Sequence, residues 1–436
     1  MLPVVAIVGR PNVGKSTLFN RLTRTRDALV DDQPGITRDR MHGMADLQGM
    51  RCLLVDTGGV AEDTSEIELK VQHQIELALE EAHAVIFLAD TRSGSLNGDR
   101  VIAARLRRES QPVFLAVNKA EGLERESAVA EFHELALGQP FPISAKTGFG
   151  ITPLIEAVCS RLPTQTHEVD EKKTRLAVIG RPNVGKSTLV NALLGDQRMI
   201  VADQPGTTRD SVRVPLDRDD RHFILIDTAG VRRKSKVREA VEKYSVVKTL
   251  QAIAESSVAI LVLDAQQGLV EQDKTIAGLA LQNGRSIVVA VNKWDGLERQ
   301  KKQQVERDLA HNFSFLPNHE TIRISALHGT GVRNVLDAAH QAHQSAMRKL
   351  PTNRLNRLLA EAVGRHPPAR HGGRLVQLKY AHQGGRNPPV VVIHGNLVDR
   401  LSPAYRRYLA RYFSRAFNLI GSPVHIETRT GLNPYV

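Results

Sequence analysis

The chain has 436 residues, of which 41% are hydrophobic and 24% charged, with a formal net charge of +12. That length exceeds what one hydrophobic core usually serves, so two or three domains are expected, and the composition excludes a disordered chain. No apolar run approaches the roughly 18 residues of a membrane-spanning helix, and two cysteines, Cys52 and Cys159, exclude a disulfide framework.

In chain order, an apolar run at 4–8 reads as a buried strand. It leads into Gly9-Arg10-Pro11-Asn12-Val13-Gly14-Lys15-Ser16-Thr17 and a helix predicted at 15–22. This fits G-x-x-x-x-G-K-[ST] between a strand and a helix, the context in which a phosphate loop is credible. Glycines let backbone N–H groups close around phosphate oxygens, and the helix N-terminus favours negative charge. Gly9 stands so near the start that no signal peptide is expected. Further strands are predicted at 43–47, 51–55, 84–89, 113–117 and 141–143, while Ile67, Val71, Ile75, Ala78, Leu79 and Ala82 place one apolar stripe on a helix. The alternation predicts an α/β domain with a mainly parallel sheet and helices on both faces.

Residues 163–173 are polar and aperiodic and read as a linker. Beyond it, Gly180-Arg181-Pro182-Asn183-Val184-Gly185-Lys186-Ser187-Thr188 repeats the first loop letter for letter, after an apolar run at 176–179 and before a helix predicted at 186–194. Lys15 and Lys186 lie 171 apart, as do Thr37 and Thr208, and Asp56 and Asp227. The offset grows to 174 for Asn118 and Asn292 and to 181 for Ser144 and Ser325, as loop insertions would make it. Two homologous domains in tandem, 1–162 and 174–349, follow from this, with buried strands predicted at 223–226, 258–263 and 287–291. After them, 350–436 predicts an α+β unit: a helix at 354–363, strands at 375–380 and 390–393, a helix at 403–417 and a strand at 424–427.

Each site has a full set of candidates. Lys15 and Lys186 are predicted to reach the β- and γ-phosphates, Ser16 and Ser187 to offer hydroxyls to Mg²⁺, and Thr17 and Thr188 to lie near the α-phosphate. Thr37 and Thr208 sit in Gly-x-Thr-Arg-Asp segments able to close over the γ-phosphate and complete the metal shell. In Asp56-Thr57-Gly58-Gly59-Val60 and Asp227-Thr228-Ala229-Gly230-Val231, the carboxylate can hold the metal through water. The N–H of Gly59 or Gly230 can sense the γ-phosphate. Asn118-Lys119-Ala120-Glu121 and Asn292-Lys293-Trp294-Asp295 end buried strands. Guanine offers an N1–H and an amine side by side to one carboxylate, a donor pair that adenine lacks. Ser144-Ala145 and Ser325-Ala326 can supply a backbone N–H to the guanine carbonyl. No side chain is an obvious general base, so catalysis is expected to rest on positioning and charge stabilisation by Lys15, Thr37, Gly59, Lys186, Thr208 and Gly230.

With these motifs in place, each domain resembles an Era-type GTPase domain. Two of them followed by a basic α+β unit resemble the EngA (Der) family of bacterial ribosome-assembly GTPases, over nearly the whole chain. The resemblance implies GTP hydrolysis with GTP/GDP and Mg²⁺, a cytoplasmic location, a KH-like third domain, and association with the large-subunit precursor and its rRNA. A monomer without a membrane partner is expected. Two other classes stay open: a G domain serving another process, such as RNA modification or membrane transport, against which the absence of a membrane span and of a modification domain weighs, and an rRNA-binding scaffold in which one nucleotide site is regulatory and not turned over.

Two departures matter. Glu121 stands where the family pattern has Asp, so the first site is expected to bind guanine nucleotides less tightly than the second. The Gln that orients the attacking water in Ras-like enzymes is replaced by Val60 and Val231. Relatives with an Asn in the phosphate loop can use K⁺, and Asn12 and Asn183 match that Asn; slow, K⁺-stimulated turnover is expected. Bracing of the loop by the same Asn residues is the alternative reading.

The excess charge is concentrated at the end. From Pro351 to Val436 there are 13 Lys+Arg against 3 Asp+Glu, leaving 46 against 44 in the rest of the chain. Arg406, Arg407, Arg411 and Arg415 recur at helical spacing among Tyr405, Tyr408, Tyr412 and Phe413, which predicts phosphate contact. No Gly-x-x-Gly loop of the KH kind is present, so sequence-specific RNA readout is not implied. The run Arg232-Arg233-Lys234-Ser235-Lys236 reads equally as a solvated face or as a nucleotide-gated basic contact.

Overall fold

The computed structural model describes residues 2–23, 29–30, 41–57, 78–163, 173–195, 213–226, 246–370 and 373–430. Expectations at Thr37, Gly58, Gly59, Val60, Thr208, Asp227, Thr228, Ala229, Gly230 and Val231 therefore lie outside the described residues. So do Ile67, Val71, Ile75, most of the linker and the basic run 232–236. The chain divides into two compact units, Met1–Glu168 and Val169–Val436.

In the first unit the described strands are β1 (Val4–Val8), β2 (Leu29–Val30), β3 (Met41–Leu47), β4 (Met50–Asp56), β5 (Ala84–Asp90), β6 (Val113–Asn118) and β7 (Phe141–Pro142). They form one sheet in the order β2-β3-β4-β1-β5-β6-β7. From β4 to β7 the pairing is parallel, and β3 and β2 add an antiparallel edge. The all-apolar run of β1 is explained by cover on both faces. Val5 and Ile7 join a core with Leu18, Phe19 and Leu22 of helix Lys15–Thr23 and Leu154, Ile155 and Val158 of helix Ile151–Arg161. Ala6 and Val8 face the other way, into a core with Ile102, Ala103 and Leu106 of helix Asn97–Leu106. Burying a Leu or Phe of this kind contributes roughly 1.5–3 kcal/mol.

The second unit repeats the plan. Strands β8 (Thr174–Ile179), β9 (Arg213–Arg218), β10 (Arg221–Ile226), β11 (Val258–Asp264), β12 (Ser286–Asn292) and β13 (Thr321–Arg323) run in the order β13-β12-β11-β8-β10-β9. All pairs are parallel except β9 with β10. Those two are joined by Asp219 and Asp220, both at positive φ (50° and 58°), the backbone that a two-residue hairpin turn requires.

The same unit carries a three-stranded sheet, β14 (Gln377–Gly385), β15 (Val390–Asn396) and β16 (His425–Thr430), with helices Thr352–Arg365 and Pro403–Ala416. Leu355 and Leu359, Leu409 and Phe413, and Val391 and Ile393 share its core. Strand limits differ from the sequence reading most at β14 and β16. β14 begins at Gln377 and runs to Gly385, because Leu375 is exposed and the register shifts between Leu378 and Tyr380 break the alternation that marked the strand. β16 continues to Thr430 through the polar, half-exposed residues of an edge strand.

This sheet is fastened to the preceding P-loop domain by main-chain and side-chain hydrogen bonds. The Ile287 N–H at the start of β12 donates to Gly421 O (2.8 Å), and Asn387 N–H donates to Ala346 O (3.1 Å). Ile420 N–H donates to Ser345 Oγ (3.1 Å), and Arg348 Nη1 to Phe417 O (2.7 Å).

Candidate functional site

In both units the phosphate loop leaves a buried central strand and enters a helix whose first residue is the loop lysine. Lys15 Nζ donates to Arg10 O (2.7 Å) and Lys186 Nζ to Arg181 O (2.6 Å), so each amine lies folded over its own loop. Lys15 is buried, and that burial pushes its ammonium below the usual lysine range, with Asp56 pulling the other way. Asn12 and Asn183 hold left-handed backbone (φ 64° and 63°). Their carbonyls accept from Lys119 Nζ (3.3 Å) and Lys293 Nζ (3.2 Å).

The sequence-separated motifs meet through one asparagine per site. Asn118 Nδ2 donates to Val13 O (2.8 Å), while its Oδ1 accepts Ala145 N–H (2.9 Å). Asn292 does the same with Val184 O (2.8 Å) and Ala326 N–H (2.9 Å). One buried amide thus ties the phosphate loop to both base-recognition segments. This closeness also explains the second loop glycine. Gly14 and Gly185 have φ near +100° and +98°, and a Cβ on either would overlap the Asn118 or Asn292 Nδ2.

Asp56, at the end of β4 and fully buried, accepts a hydrogen bond from Ser16 Oγ (2.9 Å). A hydroxyl and a carboxylate held side by side are hard oxygen donors, the set that fits Mg²⁺. Ser187, the matching hydroxyl of the second site, is described, whereas its expected partner Asp227 is not.

Three supports were not read from sequence. Asp90 and Asp264, at the ends of β5 and β11, pair with Lys119 and with Lys293 (2.5 Å), orienting lysines that brace the loops. Their equal place after a buried strand, with the offset of 174 seen for the asparagines, was the available signal. Arg10 and Arg181 pair with fully buried Asp99 (2.9 Å) and Asp273 (2.8 Å). These aspartates also accept the Leu96 N–H and Val270 N–H at the start of their helices (both 3.1 Å). Burial raises the Asp273 carboxyl above its ordinary range, against the opposing pull of Arg181. In the first unit Arg21 Nε donates to Ala145 O (2.5 Å), fixing the segment that follows Ser144.

The base-recognition ends differ. Glu121 Oε1 accepts from Arg92 Nη2 (3.0 Å), and a Ser144 hydrogen bond, first among several causes, lowers its carboxyl below the usual range. Asp295 faces His328 (3.3 Å). Trp294 lies under two cations, with Arg323 and Lys302 at 5.7 and 5.9 Å from its ring centre, a contact that replaces the buried Ala120 of the first site.

Residues 4–119 and 175–293 match the family described as 50S ribosome-binding GTPase, and 349–429 match the KH-domain-like segment of EngA bacterial GTPases. GTPase Der of Escherichia coli O127:H6 is 47% identical over 466 residues, covering 100% of this chain and 95% of that protein. GTPase Der of Chromobacterium violaceum is 51% identical over 436 residues, covering 100% and 93%. The chain belongs to the Der (EngA) family of GTPases. Two P-loop GTPase domains with mostly parallel sheets, followed by a KH-like domain, are what the sequence resemblance implied. As a Der-family member the chain is a GTPase whose ligand is a guanine nucleotide, used with Mg²⁺ as is usual for such enzymes. Among the described residues, no helix is long and apolar enough to cross a membrane.

Proposed function

We propose that this chain hydrolyses GTP at two sites to drive maturation of the large ribosomal subunit in the cytoplasm, acting as a monomer on precursor rRNA. Its G domains take residues 1–162 and 174–349, joined by a linker at 163–173, and its KH-like domain takes 350–436. The observation that carries the reading is the paired asparagine clasp, in which Asn118 and Asn292 join phosphate loop and base motif in the same way.

At each site the phosphate-loop residues from Gly9 to Thr17 and from Gly180 to Thr188 wrap the phosphates, with Lys15 and Lys186 neutralising charge that grows on the transferred group. Ser16, Thr37 and Asp56, and Ser187, Thr208 and Asp227, would hold Mg²⁺. When bound, the metal would supply further charge neutralisation on the phosphates. Glu121 and Asp295 accept the guanine edge; the Ala145 and Ala326 N–H groups, expected to meet its carbonyl, are instead engaged by Asn118 and Asn292, which brace the Ser144-Ala145 and Ser325-Ala326 segments beside the base. The Gly59 and Gly230 N–H groups report the γ-phosphate. Val60 and Val231 bring no water-orienting group, so intrinsic turnover is slow and K⁺ beside Asn12 or Asn183 raises it. Calorimetry on nucleotide-stripped chain is expected to give two GTP sites, the tighter one at the second domain, and no ATP uptake. Hydrolysis is expected to run faster in KCl than in NaCl. Equal uptake of ATP would sink the base assignment, and equal rates in the two salts would remove K⁺.

RNA contact is drawn to one face of the KH-like domain. Arg407, Arg411 and Arg415 stand at successive fourth positions of helix Pro403–Ala416, about 6 Å apart along its axis. They line a cleft of about 1130 Å³ against Phe313, Phe315 and His319, and a groove of about 700 Å³ with Tyr408 and Tyr412. Among the described residues these three arginines form no ion pair with a carboxylate, and arginines so placed beside aromatic rings suit phosphates and stacked bases. Replacing all three with Ala is expected to lower the slope of log affinity for rRNA against log salt by about 2–3. An unchanged slope would place the RNA elsewhere.

A further inference from the structure

The two base pockets differ at a pair of positions that change together. In the second domain Asp295 completes the base motif, and Gln266 stands two residues beyond the end of β11, its N–H donating to Asp264 Oδ1 (2.9 Å). In the first, Glu121 replaces the aspartate and Arg92 stands at the matching place after β5, its N–H donating to Asp90 Oδ1 (3.0 Å). The backbone is therefore anchored alike, and the side chains diverge.

A glutamate at this point brings one more methylene and one more rotatable bond than aspartate. Left free, its carboxylate would be spread over several rotamers, and ordering it on binding would cost affinity. Arg92 removes that freedom by holding Oε1 at 3.0 Å. Glu121 Oε2 is buried and, among the described residues, has no hydrogen-bond partner. A carboxylate oxygen removed from water without a partner is costly unless a ligand donor completes it.

We propose that Arg92 is a positioning residue for base recognition at the first site: it clamps one oxygen of Glu121 so that the other is presented, pre-ordered, to the donor edge of guanine. The inference rests on Glu121 being the guanine-selecting carboxylate. It makes Arg92 the compensation that lets a longer acid do the work of Asp295. The ion pair is half-exposed and contributes little to folding by itself, so the effect is felt in nucleotide binding.

The test uses the full chain with its second site silenced by Lys186→Ala and Asp295→Ala, titrated with GDP and with inosine diphosphate, which lacks the 2-amino donor. Arg92→Gln, the residue of the second site, is expected to weaken GDP binding about fivefold and inosine diphosphate binding by less than about twofold. Discrimination between the two bases narrows accordingly. Arg92→Lys is expected to keep most of the discrimination. In a Glu121→Asp background, Arg92→Gln is expected to change GDP affinity by less than about twofold, because the shorter acid needs no clamp. Equal weakening of both nucleotides, or the same loss beside Asp at position 121, would overturn the proposal in favour of a general loop effect. Failure of the silenced chain to bind GDP before Arg92 is altered would overturn the reading of the first site itself, and this inference with it.

Discussion

A chain carrying both Lys15→Ala and Lys186→Ala is expected to turn over GTP at least about a hundredfold more slowly than the natural protein. Each lysine opens the helix that leaves the phosphate loop, and each amine is held back over that loop by a main-chain carbonyl. That placement leaves one cation per site beside the position where the transferred phosphoryl gathers negative charge. The motifs offer no obvious general base to make up for its loss, so the deficit should appear in the rate constant for hydrolysis. Single variants measured under single-turnover conditions divide the total between the sites, since each removes one contribution. A double variant that kept more than about a tenth of the rate would take the phosphate loops out of the chemistry. The same variants bear on the scaffold alternative: a protein that sustained subunit maturation without hydrolysis would be a scaffold.

Asn292→Ala is expected to destabilise the second unit by about 2–5 kcal/mol and to abolish tight GTP binding there. The side chain satisfies Val184 O and Ala326 N–H at once, and all three groups are withdrawn from solvent. Its removal orphans a buried acceptor and a buried donor, each costing about 1–3 kcal/mol. Asn292→Asp keeps an acceptor for Ala326 but sets a buried carboxylate oxygen against Val184 O where a donor stood, so it should also cost stability. Denaturant unfolding measures the first effect and calorimetry with GTP the second. An Asn292→Ala protein as stable as its parent would mean that the clasp is not holding the loops together.

Much of the architecture was legible because it is written in local pattern. Uninterrupted apolar runs such as 4–8 and 258–263 are what a strand covered on both faces requires, and two copies of one loop sequence gave the tandem plan. The site was legible where it is made of residues that lie together in sequence. Partners brought in from elsewhere were not. Arg10 was legible only as a member of the phosphate loop, and nothing in the local pattern singled out Asp99 as its partner, until folding set them 2.9 Å apart. Arg92 was one arginine in a polar loop. The limits of β14 were missed because a bulge breaks the two-residue period on which strand recognition depends.

The bonds that seat the KH-like sheet on its neighbour bear on how this molecule can be taken apart. Ile287 is fully buried and gives its N–H to Gly421, while Ala342 and Ala346, also buried, lie against the same seam. Severing the chain near Leu350 would strip the Ile287 amide of its acceptor and bare an oily strip made by Ile287, Ala342 and Ala346, with Ile287 five residues from Asn292 at the far end of β12. A fragment made that way would carry a wound of its own, and its nucleotide affinity would measure the surgery together with the pocket.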